Sequence, residues 1–233
     1  MVKVKICGLW RPADIVAANE AKPDYIGFVF AESRRKVTPE QALALREKLS
    51  PGIISVGVFV DEDIGVIVGM IKAGIIDAVQ LHGSEGEAYI RELKALTDRP
   101  VIKAVAILRE GDAQAWQGSA ADYLLFDSTG GGTGRSFDWR LIGEVGKPFF
   151  LAGGLDTDNL NAALGAALGV ALGTALGAAL GDANAVDGRW RSSKDQSTTW
   201  LHAIDVSSGV ETQGYKDPAK IRDFVEKARA YDY

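Results

Sequence analysis

The chain has a single cysteine, Cys7, which closes the run KVKICG where an alternating, strand-like pattern gives way to glycine. A lone thiol cannot form an intramolecular disulfide. It is either a small buried hydrophobe or a group that moves protons or attacks a substrate. Other chemistry-bearing residues also sit where apolar runs stop: Glu32–Lys36 (ESRRK), Gln80–Gly83 (QLHG), Asp127, Ala152–Leu155 (AGGL) and Asp205–Glu211 (DVSSGVE), with Lys103 inside such a run. Paired glycines and hydroxyls let backbone N–H groups approach an anion closely. Gly153 and Gly154, taken with Ser207, Ser208 and Gly209, therefore point to a phosphate. Each group alone reads equally well as a tight turn or a helix cap. His82 either faces a pocket or caps a loop. His202 is expected to be structural or solvated. Neither histidine has a cysteine or carboxylate at ligand spacing, which argues against a metal centre.

Eight short β-branched or apolar runs would position these residues: Val2–Cys7, Tyr25–Phe30, Ile54–Val60, Ala78–His82, Val101–Val105, Tyr123–Asp127, Phe149–Ala152 and Ala203–Ser207. Helical patterns lie between them. Thr38–Ser50 starts with Thr38 as N-cap and Pro39 at the first helical position. Ser84–Asp98 has an acidic start and apolar Ile90, Leu93 and Leu96 at helical spacing. Strict alternation of strand and helix implies a parallel α/β sheet, and eight such units close into a (β/α)8 TIM barrel, one domain over residues 1–233. A doubly wound open sheet is the rival, weakened because no GxGxxG follows the first strand. In a barrel, chemistry gathers at the C-terminal ends of the strands, and phosphate commonly binds after strands seven and eight. Those are the positions named above.

With 47% hydrophobic residues, 24% charged and a net charge of −5, the composition is that of a soluble globular domain. It offers no basic field for a nucleic acid or an anionic membrane. The single cysteine and the strand-like start, without a secretory leader, lead us to expect a cytoplasmic protein. One region breaks the rhythm, an insertion between about residues 164 and 202, after the seventh helix begins and before the eighth strand. Ala162–Gly181 reads AALGAALGVALGTALGAALG, a tetrad repeated five times, and a polar stretch follows. Leucines four apart drift about 40° per repeat around a helix, and each glycine costs a helix about 1 kcal/mol relative to alanine. Glycines four apart also resemble a membrane helix-dimer motif, the less favoured reading. We expect a lengthened seventh helix with a loose extension that leaves from the N-terminal face, away from the chemistry. With Trp190 and Trp200 expected to be exposed, self-association through this insert is a further use.

The segments KICGL, DYIGFVF, SRRKV, VGVFV, VQLHG, VIKAV, LLFDS, GGTGRSFDW, LAGGL and IDVSSGVET follow an order and spacing that resembles the phosphoribosylanthranilate isomerases of tryptophan biosynthesis, from Lys3 to Asn161 and again from Ala203. The resemblance implies a cofactor-free rearrangement of a small phosphorylated aminoaldose, N-(5-phosphoribosyl)anthranilate, to the aminoketose 1-(2-carboxyphenylamino)-1-deoxyribulose 5-phosphate. It implies Cys7 as general base and Asp127 as general acid. It also implies that Arg35, or the adjacent Arg34, meets the anthranilate carboxylate. Residue chemistry fits these roles: opening the ribose ring needs a proton on the ring oxygen, and the shift to an enolamine needs one taken from C2′. A free thiol is only a few per cent ionised near neutrality, so a positive neighbour is expected, with Lys5, Lys103 and Arg35 as candidates. Asp138 is expected to cap a helix and Trp139 to pack on the barrel. Trp10 stands where the family usually has threonine and would crowd the anthranilate or stack on it. The similar isomerase of histidine biosynthesis normally has an aspartate where this chain has Cys7, which makes it the second reading. A barrel that serves only as a binding or self-association module is the alternative outside catalysis.

Overall fold

A computed structural model of the chain describes residues 2–128, 136–168 and 200–231. Eight parallel strands close into a barrel in sequence order: β1 (Lys3–Cys7), β2 (Tyr25–Val29), β3 (Ile54–Phe59), β4 (Ala78–Leu81), β5 (Val101–Ala106), β6 (Tyr123–Asp127), β7 (Phe149–Leu151) and β8 (Leu201–Val206). Every expected strand is present within two residues at either end. The helices are α1 (Pro12–Ala21), α2 (Pro39–Arg46), α3 (Ile64–Lys72), α4 (Glu87–Leu96), α5 (160–168) and α6 (Pro218–Ala230). Thr38 caps α2 as expected, and Gln41 returns the bond to the Thr38 amide, completing a capping box. Helix α4 starts at Glu87, later than its sequence pattern suggests. Glu85 is drawn away from it, accepting from the amides of Asp61 and Gly83 and from Lys103.

Strict alternation fails at two places. Between β5 and β6 the chain makes only a 3₁₀ turn, Gln114–Trp116. Between β6 and β7 the described residues hold only Trp139–Ile142. Gly111 (φ +94°) and Gly143 (φ +58°) take left-handed backbone there, which interrupts a helix and suits glycine alone. Asp138 does act as a cap, but of this short turn, and Trp139 packs half-buried against the core.

Side chains pointing into the barrel form their own cluster, built from Tyr25, Val56, Ala78, Ile102, Leu125, Phe150, Ala152 and Ala203. A larger apolar core lies between sheet and helices. β8 carries a bulge: Phe149 pairs with Leu201 and Phe150 with Ala203, so His202 is the extra residue. Its ring packs against Tyr25, Tyr123 and Phe150, with Nε2 2.7 Å from the Tyr25 hydroxyl. Burial lowers its pKa to about 4. Along α5, Ala163, Leu164, Ala167 and Leu168 are buried, so the first tetrads of the repeat supply a packed helix face. The rest of the insert, 169–199 with Trp190, lies outside the described residues. Trp200 is half-buried against the core rather than exposed as the sequence suggested, because it leads directly into β8. No helix among the described residues is long and apolar enough to cross a membrane.

Candidate active site

Parallel strands in register carry their C-terminal ends to one mouth, and a cavity of about 420 Å³ occupies it. Cys7 from the end of β1 and Asp127 from the end of β6 both line this cavity. The thiol points inward beside Gly27 of β2, where a Cβ would lie 2.7 Å from Cys7 Sγ, so only glycine leaves it room. Asp127 Oδ1 accepts the Ser128 amide at 2.7 Å, while Oδ2 lies 3.6 Å from His82 Nε2. His82 Nδ1 is 2.8 Å from the amide nitrogen of Gln80, also on the cavity wall. With that amide as donor, a neutral ring would carry its proton on Nε2, facing Asp127.

On the wall formed after β7 and β8, Gly153 (φ +84°) and Gly154 (φ +62°) turn the chain through left-handed backbone and line the cavity together with Ser207 and Ser208. Ser207 Oγ donates to the Cys7 carbonyl at 3.1 Å, tying this wall to β1. Gly209 does not line the cavity. A Cβ there would stand 1.9 Å from the Leu155 carbonyl oxygen, so the missing side chain is what lets the two loops touch.

Charge is concentrated around the thiol. Lys5, fully buried inside the barrel, pairs with Asp205 at 3.0 Å. Behind β8 a small hairpin, β9 (Glu211–Thr212) with β10 (Tyr215–Lys216), brings in Lys216. Lys216 donates to the Ser207 carbonyl at 2.8 Å and pairs with Glu211 at 2.9 Å. Burial pushes the Cys7 thiol up; Lys5 pulls it back down, Asp205 opposes Lys5, and Lys216 adds a smaller downward pull. Burial also raises Asp205 against the pull of Lys5. Burial alone would lower Lys5, but Asp205 and Cys7 outweigh it and the ammonium is held charged. Glu211 would be raised by burial, yet Arg35 and Lys216 hold it low. Arg35 grips Glu211 through Nε (2.7 Å) and Nη2 (3.0 Å). Arg34 reaches the same carboxylate from outside, its side chain 56% exposed against 8% for Arg35. Of the two, Arg35 lines the cavity.

Of the three cations expected to help the thiol, Lys5 is in place. Arg35 is committed to Glu211. Lys103 is on the wrong face: it sits between inward-facing Ile102 and Ala104, so it points out of the barrel, pairs with Glu85 at 2.8 Å and lies 5.6 Å from the Trp116 ring. Trp10 is turned away from the cavity wall and rests against Tyr215 at 5.8 Å, with the Arg11 guanidinium 4.5 Å from the Tyr215 ring. Asp205 and Glu211 lie in a segment singled out from the sequence, but nothing local shows their partners, which for Asp205 stand 200 positions away. Lys216 lies in the KD pair that follows IDVSSGVET, but nothing in the sequence gave it a role. Among the described residues, no group of three or more His, Cys, Asp or Glu is placed to hold a metal ion.

A family model described as N-(5'phosphoribosyl)anthranilate (PRA) isomerase matches residues 4–176 and 193–227. An N-(5'-phosphoribosyl)anthranilate isomerase of Endomicrobium trichonymphae is 40% identical over 234 residues, covering 99% of this chain and 100% of the relative. The crystal structure of the phosphoribosyl anthranilate isomerase of Thermotoga maritima matches with a TM-score of 0.78 at 30% identity, covering 99% of this chain and 100% of the other. A second structure of such an enzyme, in complex with reduced 1-(o-carboxyphenylamino)-1-deoxyribulose 5-phosphate, matches with a TM-score of 0.73 at 29% identity, covering 99% of this chain and 100% of the other.

Proposed function

The chain belongs to the N-(5'-phosphoribosyl)anthranilate isomerase family, and on that premise we propose that Cys7 and Asp127 are the base and acid of its reaction. The protein is an isomerase of tryptophan biosynthesis that acts on a small phosphorylated substrate. Asp127 delivers a proton to the ribose ring oxygen, the ring opens, and an iminium forms between C1′ and the anthranilate nitrogen. Cys7 thiolate then takes the proton from C2′; the C–H electron pair moves into a C1′–C2′ double bond and the nitrogen regains its lone pair. Ketonisation of this enolamine, with a proton returned to C1′, yields the aminoketose. The observation that carries the assignment is that the two side chains, from strands three places apart around the barrel, line one cavity.

The rest of the cavity divides the substrate between its ends. The Gly153–Gly154 turn with Ser207 and Ser208 binds the phosphate through backbone N–H and hydroxyl groups, and Gly209 holds that loop in place. Arg35, oriented by Glu211, receives the anthranilate carboxylate. His82 presents its Nε2 proton beside Asp127, close to the ring oxygen that is protonated. We take residues 169–199, between α5 and β8, as an insert in a single barrel domain that works in the cytoplasm; its removal leaves substrate affinity unchanged, and light scattering before and after removal tests self-association. Freshly made phosphoribosylanthranilate is fluorescent, and its decay in the presence of the purified protein is the assay. Accelerated consumption supports this reading, and no consumption by an intact barrel overturns it.

A further inference from the structure

We infer that Lys5 is a positioning residue for the reaction: its ammonium, sealed inside the barrel and balanced by Asp205, offsets part of the cost that burial places on ionising Cys7, the group that takes the C2′ proton. This rests on the assignment of Cys7 as the base. Lys5 is two residues before Cys7 on the inward face of β1, with no exposed side-chain surface. On the floor side the interior neighbours are apolar, and on the cavity side they are Cys7, Asp127 and Gln80. Burying two charges is costly, and well-packed apolar residues of similar volume often serve stability as well or better. Packing alone therefore does not favour an ion pair here. An ammonium has three donors; one is used by Asp205 Oδ1, and the charge also acts on the Cys7 sulfur.

The other charged groups around the thiol do not replace Lys5. Lys216, from the hairpin, is spent on Glu211 and the Ser207 carbonyl, and its pull on Cys7 is weaker. Arg35, whose Cδ packs against Gly8, is held by Glu211. Asp205 pushes the thiol towards its neutral form, though less than Lys5 pulls the other way. Across the cavity, Asp127 and His82 act on Asp205. The balance at the sulfur is thus set chiefly by one cation and the carboxylate that tempers it.

Because Cys7 is the only cysteine, the pH dependence of its alkylation by iodoacetamide, followed by intact mass, reports this one group. In the full-length protein, Lys5→Met moves the alkylation midpoint up by about one pH unit or more, a roughly tenfold loss of thiolate at a given pH below it. Asp205→Asn moves it down. A structural role for the pair would move both variants the same way, and that result, or an unmoved midpoint in Lys5→Met, overturns the inference. If Lys5→Met does not fold, the direction of shift in Asp205→Asn decides. If the midpoints move oppositely but turnover of phosphoribosylanthranilate does not follow the thiolate fraction, the coupling of Lys5 to Cys7 stands and Cys7 as base is what fails.

Discussion

The two ends of the barrel interior are built by the same strands and differ in almost every physical respect. At the N-terminal end, Tyr25, Tyr123 and Phe150 close the floor edge-to-face, with His202 among them. At the C-terminal end, four residues further along β6 and three along β8, Asp127 and Asp205 line an open cavity with Cys7, and Lys5 is buried against Asp205. Each end has one histidine. Burial, helped by Lys3, suppresses protonation of His202; His82 Nε2 lies 3.6 Å from the Asp127 carboxylate. The difference shows that the floor is organised by desolvation and packing, and the mouth by placed charge. A barrel can separate the two because its strands all run the same way.

That contrast predicts which changes cost rate and which cost stability. The largest effect is expected at the mouth: Cys7→Ser or Asp127→Asn lowers kcat by ~10²–10⁴-fold while thermal unfolding stays near that of the unmodified protein. Near-normal turnover in either variant removes the proposed acid–base pair. At the floor, Phe150→Ala deletes a fully buried ring and should cost about 3–5 kcal/mol of stability, read from denaturant midpoints, with kcat/KM of the folded fraction little changed. A comparable loss of rate would show that the two ends are not independent.

Smaller effects sharpen the contrast. Arg35→Lys keeps the charge but loses the fork, and should raise KM about tenfold, the scale of one charge-assisted bond; Arg34→Lys, largely outside the cavity, should leave KM alone. Equal effects would mean the exposed arginine shares the substrate. The smallest concerns His202. Its folded pKa is depressed from 6.5 to about 4, so between those values the unfolded chain binds the proton and the folded chain does not. Stability therefore falls as pH drops from about 6.5 towards 4 and this contribution is constant below that. For a partly exposed group the loss is about 1 kcal/mol after solvent screening. The difference in unfolding midpoint between the protein and His202→Leu across that range should show it, and a pH-independent difference would contradict it.

Much of this molecule is legible in one dimension. β-branched runs mark all eight strands, Thr38 and Pro39 mark the start of α2, and the positions where those runs stop contain the thiol, the carboxyl and the glycine–serine walls of the cavity. Such features rest on local rules of backbone preference, capping and alternation, which a short stretch of chain carries within itself. The helices absent among the described residues after β5 and β6 were less legible. There, glycines that any helix can tolerate singly turned out to hold left-handed backbone.

Ring closure decided the rest. Alternation says that Lys103 and its neighbours face opposite ways, but only the closed sheet says which way is in, and it sends Lys103 out and Lys5 inward. Likewise, both arginines meet Glu211, 176 positions after Arg35, but only Arg35 does so from the buried side that lines the cavity. The pairing of Lys5 with Asp205 spans nearly the whole chain. A Coulomb interaction depends on distance in space and on the water excluded between the charges. Neither quantity exists until the eighth strand has docked against the first.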